Sequence, residues 1–196
     1  SINFKNSFLF YPKIIFLENY DIIDSYQSII LFLKKFNYNY INKTNKNLKR
    51  GFIFQLHNNN TNNNYILKFQ PNKSFIEIII NKYLSKHTYL NNYILFPEYF
   101  FINKNNSYFY IIEKYDCDLF QYIKHKKEYI SDDQIVFIIK HLISVIYYLH
   151  KLHIIYSDIK LENFVVNIKN NEIDKIKLID FDVSIFNVIP PDFSEF

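Results

Sequence analysis

The stretch from Ser131 to His150 constrains the fold of this chain more than any other. Apolar residues recur there at Ile135, Ile138/Ile139, Leu142, Val145/Ile146 and Leu149, the three-and-four spacing of one helix face. Ser131 and Gln134 precede the stripe as an S-x-x-Q capping box. A long helix with one apolar face must bury that face against another layer. The sequence supplies a candidate at once. A loop, "HKLHIIYSDIKLENFVVN", is followed by two strand-like runs, "FVVNI" and "IKLIDF", around the polar turn "KNNEIDK".

Upstream the pattern changes. "GFIFQLH" and "NYILKFQ" read as strands joined by the turn-rich "NNNTNNN", which predicts a hairpin. "SFIEIIINKYLSKH" reads as a helix, and "YILFPEYFFI" and "SYFYIIEKY" as two further strands. Residues 1–38 read as an N-terminal extension with a helical apolar pattern from Ile22 to Leu33. The order is therefore strands, a helix, strands, a long helix, a loop and a hairpin. That order predicts an α+β fold with a small sheet lobe leading a helical lobe.

Composition narrows the function classes. The chain of 196 residues is 49% hydrophobic, which excludes disorder as its overall state. Its net charge of +4 is spread among intermixed Lys, Asp and Glu, so no nucleic-acid surface is expected. Cys117 is the only cysteine, which excludes an internal disulfide and fits a reducing, intracellular setting such as the cytoplasm. No apolar run approaches the roughly 20 residues of a membrane span. There is one glycine, Gly51, and no Met, Trp or Ala. Motifs that need a residue the chain otherwise avoids therefore carry extra weight.

The loop after the long helix holds Asp158, Lys160 and Asn163 in the spacing D-x-K-x-x-N, and Asp180 stands in "LIDFD" behind the hairpin. Phosphoryl transfer needs a carboxylate to orient the attacking hydroxyl and ligands for the magnesium ions that bridge the phosphates. Asp158 suits the first role, Lys160 a cation facing the γ-phosphate, and Asn163 with Asp180 the metal ligands. Solvated turn residues are the competing reading. The capped helix in front and the "IDF" hairpin behind argue against it.

These segments resemble the catalytic loop and metal-binding segment of eukaryotic-like protein kinases, whose patterns are H-R-D-x-K-x-x-N and D-F-G. Other positions fall in register. Lys68 in "YILK" matches the family's phosphate-anchoring lysine. Gly51, seventeen residues earlier, matches the last glycine of the glycine-rich loop, and Ile53 the valine after it. Glu77 stands where the helix should supply an acidic partner for Lys68. "IIEKYDCDLF" supplies a hinge with Glu113 and Tyr115, Ile112 resembles the gatekeeper, and Asp118 is placed to reach a ribose. Val165 would close the nucleotide pocket from below. Within the family, "KFQPNKS" and "DIKLENF" look nearest the casein kinase and vaccinia-related branch.

The resemblance implies ATP and Mg2+ as cofactors, a Ser/Thr-containing protein as substrate, and a two-lobed fold. The sheet lobe would span 39–115 and an incomplete helical lobe 116–196. Departures point the other way. Lys46 and Leu48 replace two loop glycines, Ile66 an adenine-contacting alanine, Tyr156 and Ser157 the His and Arg of the loop, and Asp182 the glycine of D-F-G. Only fourteen residues follow Asp182, with "IPPDF" a faint echo of A-P-E, so a truncated kinase, a fragment, or a reduced domain needing a partner chain is expected. A nucleotide-binding or scaffolding pseudokinase is the alternative.

Overall fold

The computed structural model describes residues 12–17, 26–43, 52–71, 74–102, 107–126 and 129–188. The larger sheet is built from β1 (Lys13–Phe16), β2 (Tyr38–Lys43), β3 (Phe52–Asn58), β4 (Asn63–Gln70), β5 (Tyr99–Ile102) and β6 (Tyr108–Glu113). The strands lie in the order β1-β5-β6-β4-β3-β2. All pairings are antiparallel except β1 with β5. The expected hairpin is present as β3 and β4. Its turn is held by Asn58 Oδ1, which accepts from the Asn60 and Thr61 amides, and Asn62 takes φ 58°. Asn tolerates that left-handed conformation better than most residues.

Both faces of this sheet are covered. On one face α1 (Tyr26–Lys34) inserts Ile29 and Leu33 among Phe54, Leu67, Phe101 and Phe109. On the other lies α2 (Ile76–Ser85), whose Ile78 joins Phe100, Tyr108 and Tyr110. Double coverage explains why β6 is buried from Tyr108 to Ile112 with no polar alternation. The described part of the 1–38 extension thus contributes a strand and a helix to the lobe. Part of the predicted helix, at Ile22 and Ile23, lies outside the described residues.

The strand expected over 93–102 forms only from Tyr99. A 3-10 turn (Thr88–Asn92) precedes it, and the next residues bond to the other lobe. Leu178 N–H donates to Tyr93 O at 2.8 Å and Leu95 N–H to Leu178 O at 3.1 Å. Pro97, which has no N–H to offer a ladder, then breaks the run.

The second lobe begins with β7 (Cys117–Asp118) and α3 (Leu119–His125), followed by α4 (Asp132–Lys151). Ser131 caps α4 by accepting from Gln134 N–H at 3.3 Å. The capping box is only half formed. Gln134 Oε1 instead accepts from Ile173 N–H at 3.0 Å and ties the helix to the hairpin beyond it. Two-residue β8 (Ile154–Ile155) pairs with β11 (Ile185–Phe186). The hairpin is β9 (Phe164–Lys169) and β10 (Glu172–Leu178), with β7 added at its edge. The apolar stripe of α4 (Ile138, Val145, Leu149) packs with Phe164, Val166, Ile176 and Leu178. Ile80, Tyr83 and Leu84 of α2 belong to the same core, so α2 fastens one lobe to the other.

Candidate active site

A cleft of about 420 Å³ opens between the lobes. Its roof is the β3–β4–β6 face. Register alignment sets Ile53 opposite Lys68, Lys68 opposite Tyr110 and Ile66 opposite Ile112. Side chains alternate along a strand, so β4 turns Ile66 and Lys68 into the cleft and sends Tyr65, Leu67 and Phe69 toward α1. Glu113, Lys114, Tyr115, Cys117 and Asp118 form its closed edge, and Asn163, Val165, Ile179 and Asp180 its floor.

The edge is held firmly. Lys114 N–H donates to Asn64 O at 2.9 Å, tying it to the roof. Asp116 N–H donates to Val166 O at 3.1 Å, and Asp116 Oδ2 accepts from Ile168 N–H at 2.7 Å, tying it to the floor. Asp118 caps α3, its Oδ1 accepting from Gln121 N–H at 2.8 Å. One oxygen of the expected ribose ligand is therefore already used.

The loop after α4 gathers its three singled-out residues at one point. Lys160 Nζ donates to Asp158 Oδ2. Asn163 Nδ2 donates to the same oxygen and to the Asp158 carbonyl, both at 2.9 Å. Lys160 first, then Asn163, holds the Asp158 carboxyl below its ordinary range, while Asp158 raises Lys160. Asp158 is therefore ionised at neutral pH. Asn163 is buried, and a 3-10 turn (Leu161–Asn163) sets its position.

Asp180 lies two residues past β10, in the left-handed conformation at φ 69°. The residue before it is fixed from both sides. Ile179 N–H donates to Asn163 O at 2.9 Å, and Tyr156 OH donates to Ile179 O at 2.8 Å. The Tyr156 ring also meets Phe181 edge-on, with centroids 5.4 Å apart. Tyr156, in the family's histidine position, thus packs and braces the segment.

Lys68 Nζ donates to Asp180 Oδ2 at 2.6 Å, each side chain about one-fifth exposed (23% and 22%), and lies 5.8 Å from the Tyr110 ring centroid. Glu77 is in the first turn of α2 but is not joined to Lys68 by an ion pair among the described residues. Its Oε2 accepts from Tyr108 OH at 2.6 Å. Burial pushes the Glu77 carboxyl up to about 7; Lys68 opposes this, while Asp180 and Asp182 add to it. The expected Lys68–Glu77 anchor is open, and Asp180 has taken the lysine.

Residues suited to a divalent cation are also brought together. Asp180 Oδ1 is buried without a hydrogen-bond partner. The Asn163 amide spends its NH2 on Asp158, which leaves its oxygen as the donor for a cation. Two hard oxygen donors suit magnesium. Among the described residues, no group of three or more His, Cys, Asp and Glu is placed to hold a metal ion.

Ile53, Lys68, Glu113, Tyr115, Asp118, Asn163, Val165 and Asp180 all line the cleft. Asp158 and Lys160 stand beside its floor through Asn163. Gly51, with Lys46, Leu48, Lys49 and Arg50, lies outside the described residues, as does "IPPDF". Leu95 and Tyr110 line it as well, and Tyr108 packs behind them. The alternation of Tyr108, Tyr110 and Ile112 in "SYFYIIEKY" is the signal that marks one inward face.

Comparison with known proteins agrees with this arrangement. The protein kinase domain family matches residues 47–193. The chain belongs to that family. Over 87 residues this kinase domain is 37% identical to calcium-dependent protein kinase 4 of Plasmodium berghei (strain Anka) and of Plasmodium falciparum (isolate 3D7). That match covers 44% of this chain and 16% of each relative. Over 81 residues it is 30% identical to the serine/threonine-protein kinase US3 homolog of Equine herpesvirus 1 (strain Ab4p), covering 41% of this chain and 20% of the relative. The kinase domain thus spans a fifth or less of the curated relatives it matches.

Solved structures share the kinase fold. The BubR1 kinase domain superposes with a TM-score of 0.63 at 24% identity, over 79% of this chain and 49% of that one. A twitchin kinase fragment of C. elegans gives 0.66 at 18% identity, over 95% of this chain and 38% of that one. The departures at Tyr156 and Asp182 therefore sit on a kinase framework. No described helix is long and apolar enough to cross a membrane.

Proposed function

We propose that this chain carries the nucleotide site and catalytic loop of an ATP-dependent serine/threonine protein kinase. The observation that supports it best is the meeting of Asp158, Lys160 and Asn163 with Lys68 and Asp180 around one interlobe cleft. In this reading the adenine lies between Ile53 and Ile66 above and Val165 below, against the edge from Glu113 to Tyr115. Asp118 reaches the ribose through the oxygen not used in capping α3. Gly51 would cover the phosphates and Lys68 would neutralise them. Asn163 and Asp180 would hold magnesium, which supplies charge neutralisation on the phosphates when bound.

Asp158 would orient a substrate serine or threonine hydroxyl and take up its proton. Its depressed pKa keeps it ionised for that role. Lys160, tethered to Asp158, would swing to the transferred γ-phosphoryl. The sheet lobe runs to Tyr115 and the helical part begins at Asp116, in a reducing compartment such as the cytoplasm.

The pseudokinase reading draws on one specific observation, the Lys68–Asp180 bond in place of Lys68–Glu77. Binding and transfer assays separate the two. Magnesium-ATP should raise the thermal midpoint, and labelled phosphate should reach a Ser/Thr protein substrate, with Asp158→Ala lowering transfer at least about a hundredfold. Transfer that persists in Asp158→Ala overturns the kinase reading. Nucleotide binding with no transfer favours the pseudokinase.

A further inference from the structure

Glu77 is 1% exposed and Tyr108 0%, so water cannot compete for the 2.6 Å bond between them. Glu77 faces Lys68 from β4, Tyr108 and Tyr110 from β6, and Asp180 and Asp182 from the segment after β10. Among the described residues the cation in this acidic surrounding is Lys68, and it is bonded to Asp180. A buried carboxylate takes the strongest donor that geometry offers, because an unpaired buried charge is costly. Tyr108 fills that position, with the buried Tyr110 hydroxyl as a second hydrogen-bonding neighbour of the same carboxyl. Its ring packs against Phe75, Phe100 and Tyr110, so a phenylalanine would fill the same space and only the hydroxyl distinguishes the two.

Resting on the nucleotide-site reading above, we propose that Tyr108 is a positioning residue whose hydroxyl holds Glu77 off Lys68 and thereby leaves Lys68 on Asp180. Two pairings of the same four groups compete. In one, Tyr108 holds Glu77 and Lys68 masks Asp180 Oδ2. In the other, Lys68 holds Glu77 and the Asp180 carboxylate is open to magnesium. A magnesium-bound nucleotide binds the second better and draws the population toward it. The Tyr108 hydroxyl weights the first and so weakens nucleotide binding by a set factor.

The test is Tyr108→Phe in protein labelled with carboxyl-13C glutamate, with Glu77 assigned by Glu77→Gln. Loss of a hydrogen-bond donor alone raises the pH at which a carboxyl titrates; gain of an ammonium partner lowers it. The inference expects the Glu77 midpoint in Tyr108→Phe to fall by about one pH unit or more. A midpoint that is unchanged or higher overturns it. Calorimetry with magnesium-ADP should show roughly fivefold tighter binding in Tyr108→Phe, and equal affinity also overturns it. If the wild-type chain binds no nucleotide, the nucleotide-site reading fails, and the carboxyl titration still decides whether Tyr108 governs Glu77. Tyr108→Met gives the same readouts should the phenylalanine variant not fold.

Discussion

Lys68 and Asp180 are 112 residues apart in sequence and meet at 2.6 Å across the cleft. This bond joins β4 of the sheet lobe to the segment behind the hairpin of the helical lobe. It also brings together the cation suited to phosphate and the carboxylate suited to metal, each occupying the other.

Replacing Lys68 with Met should therefore act on two levels. Magnesium-ADP binding should weaken at least about tenfold, since a phosphate partner is lost. Stability should change by only about 1 kcal/mol, because the pair is partly exposed and screened. Calorimetry and urea unfolding on the same sample check both numbers.

Tyr156→Phe removes the hydroxyl that donates to Ile179 O at 2.8 Å. A part-buried carbonyl losing its donor costs about 1–2 kcal/mol. The variant should unfold at lower urea, and Asp180 should become less well placed, so nucleotide affinity should fall with stability. Unchanged affinity would show that Phe181 packing alone sets Asp180.

Gln134→Ala should destabilise the chain by about 1 kcal/mol through the lost bond to Ile173 N–H, not through the helix end. Ser131→Ala should cost about the same through the lost N-cap. If Gln134 acted as the second half of a capping box, the two losses would be strongly non-additive. Additive losses in the double variant are the expected outcome.

The Glu77 carboxyl gives a signed pH dependence. Burial raises it from an ordinary value of 4.5 to about 7 in the fold. The folded state then holds an extra proton between those values. Its contribution to stability is full below about 4.5 and is lost as pH rises through about 7. Unfolding free energies of wild type and Glu77→Gln, compared at pH 5 and pH 8, should differ in slope, with the variant flatter over this interval.

What was legible in the sequence was local. The spacing of Asp158, Lys160 and Asn163 encodes a single turn of backbone, so their meeting follows from the spacing itself. Ser131 and the α4 stripe fix a helix end in the same way. Ile53 and Lys68 could be paired because a short hairpin sets their register. Choice of partner was not legible. Nothing in the order of residues says that Glu77 will bond Tyr108 and not Lys68, or that Gln134 will reach Ile173. Those outcomes depend on which donor the packing of the two lobes brings nearest in three dimensions. β1 was missed because a four-residue strand at a sheet edge carries too few residues for a period to show.

The family match begins at residue 47, yet β1, α1 and β2 all lie before it. A protein shortened to that boundary would lose the helix that covers Phe54, Leu67, Phe101 and Phe109. Those side chains would then face water together, an exposed apolar surface of the kind that drives self-association. For this kinase domain, expression from residue 47 should yield aggregates, so the first forty-odd residues act as a solubility requirement of the domain that follows them.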